Sequence, residues 1–377
     1  MSSTPTRPAG RTLIVTDRAD FFCPKLLASV VVDEFEPLAV DVLRFGALRP
    51  NDSPQAFTDQ VAMQAWPPGV REFVAEDLRH AVAPGGRSLD ALLDGYARVA
   101  VYSINPWNAP LINHLAQQWP HLPLSVICSD DEIERHWNFQ RQVAEEPGRE
   151  AELREAFLYP VEVGQAFEAV RRFFIGRQPW EAMLRTGRQN DLELLPWVPP
   201  ILNRMPGLAD LPRSSSVYRV VLFPKPSVGR EHFMQAARAL VAGHAGRPLE
   251  IVTFRNDLPS LSNLEGVWLR CHPYPIDEAQ YHRIIAGSHG LVIVPRGGLS
   301  TIRDAARYGL DLISAFPNTP NEHALLHDIG LTLTPIDALH LDDANGQATG
   351  RRQRNRATLA RYEFAAIAAF RNEYCVG

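Results

Sequence analysis

Residues 294–314 read VPRGGLSTIRDAARYGLDLIS. Apolar β-formers lead into a proline, two glycines and two hydroxyl residues follow, and a helical pattern closes at Gly309 before LDLIS begins another β-type run. A β-run feeding directly into a helix that returns to a second β-run is the core of a strand–helix–strand unit. Gly297 and Gly298 permit positive φ and carry no Cβ to hold a ligand away from the backbone. The first N–H groups of the next helix lack internal acceptors and carry the positive end of its dipole. An anion, most naturally a phosphate, is stabilised at such a place, and Ser300 and Thr301 add hydroxyl donors. A Gly-Gly turn with Ser300 as an ordinary N-cap explains the same residues without a ligand.

The surrounding sequence extends the unit. YRVVLF (218–223), LEIVTF (249–254), GVWLRC (266–271) and GLVIVP (290–295) read as buried strands. GREHFMQAARALVAG (229–243) reads as a helix with Phe233, Ala236, Ala237 and Leu240 on one face. DEAQYHRIIAGS (277–288) opens with acids, as a helix start prefers. The first half repeats the theme less regularly, with strands at TLIVTD (12–17), PLAVDVLRFGAL (37–48), RVAVYSI (98–104) and LPLSVICSDDE (122–132). Helical periodicity runs through VREFVAEDLRHAV (70–82), LDALLDGYA (89–97) and NAPLINHLAQQWP (108–120). Residues 133–195 read as mainly helical, 195–216 as a proline- and serine-dense linker, and 356–374 as a long final helix. Apolar strands alternating with helices imply parallel sheets covered on both faces. The expected fold is α/β, with two Rossmann-like domains. Residues 1–207 read as the first domain, with a helical insertion at 133–195, residues 208–355 as the second, and residues 356–377 as the final helical segment.

The bulk numbers restrict the chemistry. The chain has 377 residues, 45% hydrophobic and 21% charged, which suits two globular cores. A net charge of −5 argues against nucleic acid. The one dense basic run, RRQRNR (351–356), reads as a solvated linker or helix start, with phosphate contact as the alternative. Cys23, Cys128, Cys271 and Cys375 lack CxxC spacing, which argues against zinc and disulfides and for a reducing compartment. The N-terminus has no apolar signal core and no stretch reaches the length of a membrane span, so a cytoplasmic protein is expected. Peripheral membrane contact through a surface patch stays open.

The order of elements in 218–314 resembles the donor-binding domain of GT-B glycosyltransferases, the two-Rossmann class that uses nucleotide sugars. Its large retaining branch has a basic loop after the first strand, then a proline-ended strand, a glycine turn, and a helix with an acid just before Ala-x-x-Gly. Asp304 in DAARYG is that acid here. The resemblance implies that the two domains face a cleft, that residues 356–377 cross back onto the first domain, that Asp304 binds the ribose hydroxyls and that Gly297 and Gly298 face sugar and diphosphate. It implies that Lys225 in PKPSVGR and Arg230 neutralise the diphosphate. Arg296 stands where that branch has a glutamate, eight residues before Asp304, and an arginine there pairs directly with phosphate. RCHPYP (270–275) is similar to the His-Pro motif of bacterial sialyltransferases, which gives His272 a phosphate contact; a satisfied loop histidine is the plainer reading. The loop NTPNEHALLHDIGL (318–331) corresponds to the segment over the donor, bringing Asn321 and Glu322 toward the sugar; Asn321 as a helix N-cap is the alternative.

An inverting enzyme of this class needs a general base near the acceptor. Asp20 and Asp131 stand at strand ends of the first domain and lead the candidates, ahead of Asp17, Asp130, Glu132 and His136. Trp107 and two asparagines in NPWNAP, with Trp137, Phe139, Phe173, Phe174 and Trp180, suit an acceptor platform or simply a core. No Asp-x-Asp occurs, and the class works without metal, so no metal and no cofactor beyond the nucleotide-sugar co-substrate is expected. The acceptor is a glycan, protein or small molecule. A sugar-nucleotide epimerase of the same fold is the alternative enzyme, although the Gly-Thr-Arg-Pro-Glu signature of one such group is missing. A nucleotide-binding scaffold without turnover is the non-enzymatic alternative.

Overall fold

A computed structural model describes residues 10–18, 20, 22–31, 37–46, 66–75, 82–83, 87–128, 132–175, 193–196, 208, 211–214, 216–222, 230–243, 248–254, 266–272, 277–294, 299–319, 322, 324–338 and 347–375. The chain forms two units, Met1–Ile201 with Ala365–Gly377, and Leu202–Phe364.

In the first unit β1 (Thr12–Asp17) is buried along its whole length, as a β-branched run with both faces covered must be. In chain order there follow α1 (Phe22–Ser29), β2 (Val40–Phe45), β3 (Glu72–Ala75), the small antiparallel pair β4 (Val82–Ala83) and β5 (Arg87–Ser88), and α2 (Leu89–Leu93). Next come β6 (Arg98–Tyr102), α3 (Ala109–Gln118), β7 (Leu124–Ile127), α4 (Glu132–Glu145), α5 (Glu150–Ala156), α6 (Val161–Ala169), β8 (Arg172–Ile175) and β9 (Glu193–Pro196). The sheet order is β3-β2-β1-β6-β7-β8-β9, all parallel, with Thr12 paired to Val40 on one side and Arg98 on the other.

Two expectations are corrected here. Residues 133–195 are not a purely helical insertion, because β8 and β9 lie within them and extend the sheet. RFFI is four residues long and follows directly on the apolar period of α6, so its periodicity cannot be told from that of a buried helix. Phe173 and Phe174 are fully buried in that strand rather than presented on a platform. Within residues 70–82, expected as a helix, Glu72–Ala75 form the edge strand β3, and residues 76–81 lie outside the described residues. Pairing with Val42–Phe45 overrides the helical spacing, and the exposure of β3 alternates as an edge strand's does.

The second unit begins with β10 (Tyr218–Val221) and continues through α7 (Arg230–Ala242), β11 (Leu249–Thr253), β12 (Val267–Cys271), α8 (Glu278–Ala286), β13 (Gly290–Ile293), α9 (Leu299–Arg307), β14 (Asp311–Ser314) and β15 (Thr334–Pro335). Its parallel sheet runs β12-β11-β10-β13-β14-β15. Phe233, Ala236, Ala237 and Leu240 of α7 are buried against it, the face that the sequence period predicts. Asp277 caps α8 by accepting from the Gln280 N–H at 2.9 Å. The segment expected as a helix after residue 321 is a π-helical turn, Ala324–Ile329. The last helix, α10 (Gln347–Phe370), starts in this unit, and residues from Ala365 onward belong to the first.

Candidate functional site

Both sheets reverse their strand order beside their first strand, between β1 and β6 in one unit and between β10 and β13 in the other. Ligands in such sheets bind outside the carboxyl ends of the strands at that reversal. In the second unit β10 leads through the buried Leu222 toward α7, and β13 leads through the buried Val294 toward α9. Two helix N-termini therefore follow the two strands that flank the crevice, each with unpaired N–H groups of positive potential. Lys225, Arg296, Gly297 and Gly298 lie on the two connecting segments and outside the described residues, as do the side chains of Arg230 and Ser300 at the starts of α7 and α9.

The described site residues have definite partners. Thr301 is buried, and its Oγ1 accepts from the Tyr281 hydroxyl at 2.6 Å, which leaves its own hydrogen to donate. Asp304 is 1% exposed; its Oδ1 accepts from Arg307, which also donates to Glu363 Oε1 at 2.6 Å. Its Oδ2 is buried with no hydrogen-bond partner among the described residues. Burial raises the Asp304 carboxyl to about 6, with Arg307 and His282 pulling in the opposite direction. Glu322, on the segment after β14, is 4% exposed, and its Oε1 is likewise without a partner among the described residues. Its N–H donates to Thr319 Oγ1 at 3.3 Å. A carboxylate oxygen only accepts, so a buried one without a donor is an open demand for an N–H or O–H.

His272 follows β12, two strands from β10 and so about 10 Å from the reversal. Its N–H donates to Thr253 O at 2.8 Å and its ring lies 6.0 Å from that of Phe254. Burial, then the nearby Arg270, lowers its pKa and favours the neutral ring.

In the first unit the reversal lies between Asp17 and Ser103. Ser103 has φ of 67°, a left-handed conformation uncommon outside glycine. Its carbonyl accepts from Asn108 Nδ2 at 2.9 Å, and Asn105 and Asn108 lock the turn by mutual bonds around Trp107. Gly46 has φ of 104°, and a Cβ there would lie 3.3 Å from Trp107 Cβ, so the segments that follow β2 and β6 meet over the end of β1 through a glycine. Asp20 Oδ2 accepts from Thr16 Oγ1 at 2.6 Å and from the Cys23 N–H at 3.0 Å, the bonding of a helix cap. Arg44 donates to the Asp20 carbonyl at 2.5 Å and pairs with Glu72. Asp131 lies outside the described residues. His136 is not at a strand end: it is 2% exposed, bonded to Tyr159 and stacked on Phe167 at 4.5 Å, a core histidine. A groove of about 510 Å³, lined by residues including Gln140, Arg154, Gln165 and Glu168, lies among α4, α5 and α6 and away from any strand end. Among the described residues no three His, Cys, Asp or Glu side chains converge as metal ligands.

Glu322 stands in the loop that the resemblance brings toward the sugar, with a helix start as the other reading. Glu363, which meets Arg307 across 56 residues, leaves no local pattern in the sequence.

No family model matches the chain, and no curated protein matches it in sequence. Solved structures match over nearly its whole length. UGT2 of Phytolacca americana, in complex with UDP-2-fluoro-glucose and pterostilbene, matches at a TM-score of 0.50 and 13% identity, covering 96% of this chain and 95% of the other. A UDP-glucosyltransferase from Polygonum tinctorium matches at 0.51 and 13%, covering 98% of each chain. Arabidopsis thaliana UGT89C1 matches at 0.51 and 13%, covering 98% and 96%. The chain has the GT-B fold, with a parallel sheet in each of two α/β units.

Proposed function

Proceeding from that fold, we propose that the protein is a glycosyltransferase that moves a sugar from a nucleoside-diphosphate donor to a nucleophile on an acceptor. The observation that carries this reading is the pair of buried carboxylate oxygens on the segments that follow β13 and β14, Asp304 Oδ2 and Glu322 Oε1, which have no donor among the described residues. Sugars and ribose are ligands made of hydroxyl donors, and phosphate between them suits the two helix N-termini at the same sheet edge.

In this reading the ribose hydroxyls donate to Asp304, and hydroxyls of the transferred sugar donate to Glu322. Cleavage of the bond between the anomeric carbon and the phosphate oxygen leaves the electron pair on the diphosphate. The amides at the start of α9, with Lys225, Arg230 and Arg296, stabilise that growing charge, and Gly297 and Gly298 let it approach the backbone. Ser300 and Thr301 donate to the same phosphates, and His272, neutral and further along the edge, donates a hydrogen bond rather than a charge. For transfer with inversion, Asp20 or Asp131 takes the acceptor proton. The phosphate charge is met by side chains and amides, with no metal required. A solved structure of the same fold holds UDP-2-fluoro-glucose, which supports a nucleotide sugar as the partner.

A thermal-shift panel of nucleotide sugars and free nucleotides tests the reading. A ligand at a hundred times its Kd stabilises by about 2.7 kcal/mol, which raises the melting temperature by about 5 °C or more for a domain of this size. One nucleotide family is expected to respond. No response across the panel contradicts the proposal. Sugar transfer to water or an acceptor, rather than inversion of the donor sugar, then separates a transferase from an epimerase.

A further inference from the structure

The exposed face of α10 has a composition unlike the rest of the surface. Residues 347–362 contain five arginines and no Asp or Glu, in a chain of net charge −5. Arg351 and Arg352 reach Asp311, at 2.9 and 3.6 Å, and are committed to the fold. Arg354, Arg356 and Arg361 are exposed and form no ion pair among the described residues. Between them runs a line of exposed residues, Gln353, Ala357, Ala360 and Phe364, spaced by one helical turn each. Phe364 is 78% exposed, the most exposed of the large apolar side chains among the described residues. Helical geometry puts Arg354 and Arg361 on one flank of that line and Arg356 on the other. Glu363, the one acid nearby in sequence, points into the fold and is taken by Arg307.

The geometry points to a peripheral membrane contact: α10 lies on an anionic bilayer surface with Phe364 inserted and the three arginines at the phosphates. Ala357, Ala360 and Phe364 make a short apolar midline between cationic flanks, the pattern of an interfacial helix, with arginine stems spreading sideways to the headgroups. Charge complementarity selects anionic over neutral lipid. A duplex would satisfy the arginines and leave Phe364 in water, and a single strand would stack a base on it; an anionic bilayer takes the arginines and the aromatic together, and the vesicle and RNA arms of the test separate these partners. Among the described residues no helix is long and apolar enough to cross a membrane, so the contact is made along the surface.

The test uses the full chain and needs no nucleotide, so it stands or falls apart from the proposed activity. Co-sedimentation is measured with phosphatidylcholine vesicles and with vesicles containing roughly one third phosphatidylglycerol. Binding is expected to the anionic vesicles only, weakening as salt rises. Phe364→Ala is expected to lower the partition coefficient about tenfold, and Arg354→Gln with Arg361→Gln by at least as much. All three side chains are exposed, so melting temperatures are expected to stay unchanged. Phe364→Trp gives a second readout, a blue shift of emission on adding anionic vesicles but not neutral ones. The proposal is overturned if the wild type does not bind anionic vesicles, if both variants bind as well as wild type, or if the Phe364→Trp emission does not move. Binding to RNA or heparin that Phe364→Ala leaves intact, without vesicle binding, identifies a polyanion partner and also overturns it.

Discussion

Asp304 shows how one buried side chain ties stability to ligand binding. Its carboxyl is raised to about 6 by burial. A raised folded pKa means that its contribution to stability is greatest below the ordinary carboxyl range and is lost as pH rises through about 6. A hydroxyl donated to Oδ2 favours the ionised form, so nucleotide affinity is expected to fall on going from pH 7 to pH 5. Asp304→Asn should remove that step and weaken nucleoside binding about tenfold; titration calorimetry at the two pH values reads both. Asp41 shows the opposite sign. Burial alone would raise it, but hydrogen bonds from Arg71, Arg11 and Tyr96 outweigh burial and hold it at about 2. Its stabilisation is present above pH 4 and is lost as pH falls toward 2, and Asp41→Asn should cost about 2 kcal/mol at pH 7 and almost nothing near pH 2. Denaturant melts across that range check it. Asp304 is legible in the sequence as an acid before Ala-x-x-Gly. Its burial and its link through Arg307 to Glu363 are not, because pairs distant along the chain leave no local pattern.

Among the elements, the strands with both faces covered were the most readable. TLIVTD and GLVIVP announce themselves because burial on two faces leaves no polar alternation to misread. RFFI and EFVA were not readable as strands, since their identity comes from pairing with β7 and β2 rather than from their own spacing. The basic run at 351–356 shows the limit of charge reading: it is helical, and its first two arginines serve Asp311 at the start of β14. Asn355 in the same run donates to the Thr332 carbonyl and accepts from its N–H, both at 2.8 Å, so one buried amide completes the backbone before β15. Asn355→Ala leaves both groups unpaired and should cost about 2 kcal/mol in the second unit, measured by urea denaturation. A cost near zero would show that the bonds are replaced by water.

At the scale of the whole molecule, the chain returns to its first unit at its end. Thr12 Oγ1 donates to the Tyr374 carbonyl at 2.7 Å, the Ala39 N–H donates to the Cys375 carbonyl at 3.2 Å, and Arg371 donates to the Val30 carbonyl at 2.7 Å. Phe370 and Tyr374 are buried beside Phe174, at ring distances of 6.0 and 4.8 Å. A chain ending at Phe364 should lose about 4 kcal/mol or more of first-unit stability from those two rings alone, read as earlier proteolysis of residues 10–175. The resemblance leads to an expected return of residues 356–377, and the chain belongs to the first unit again from Ala365 onward; β8, beside which Phe370 and Tyr374 pack, carries no such signal in the sequence. The most direct measurement of the donor site is titration calorimetry of the responding nucleotide sugar and of its nucleoside against wild type and Lys225→Ala with Arg230→Ala. We predict a loss of at least tenfold for the diphosphate sugar and little change for the nucleoside. Equal losses for the two ligands, or no binding to the wild type, would contradict a diphosphate cradle at the carboxyl edge of the second sheet.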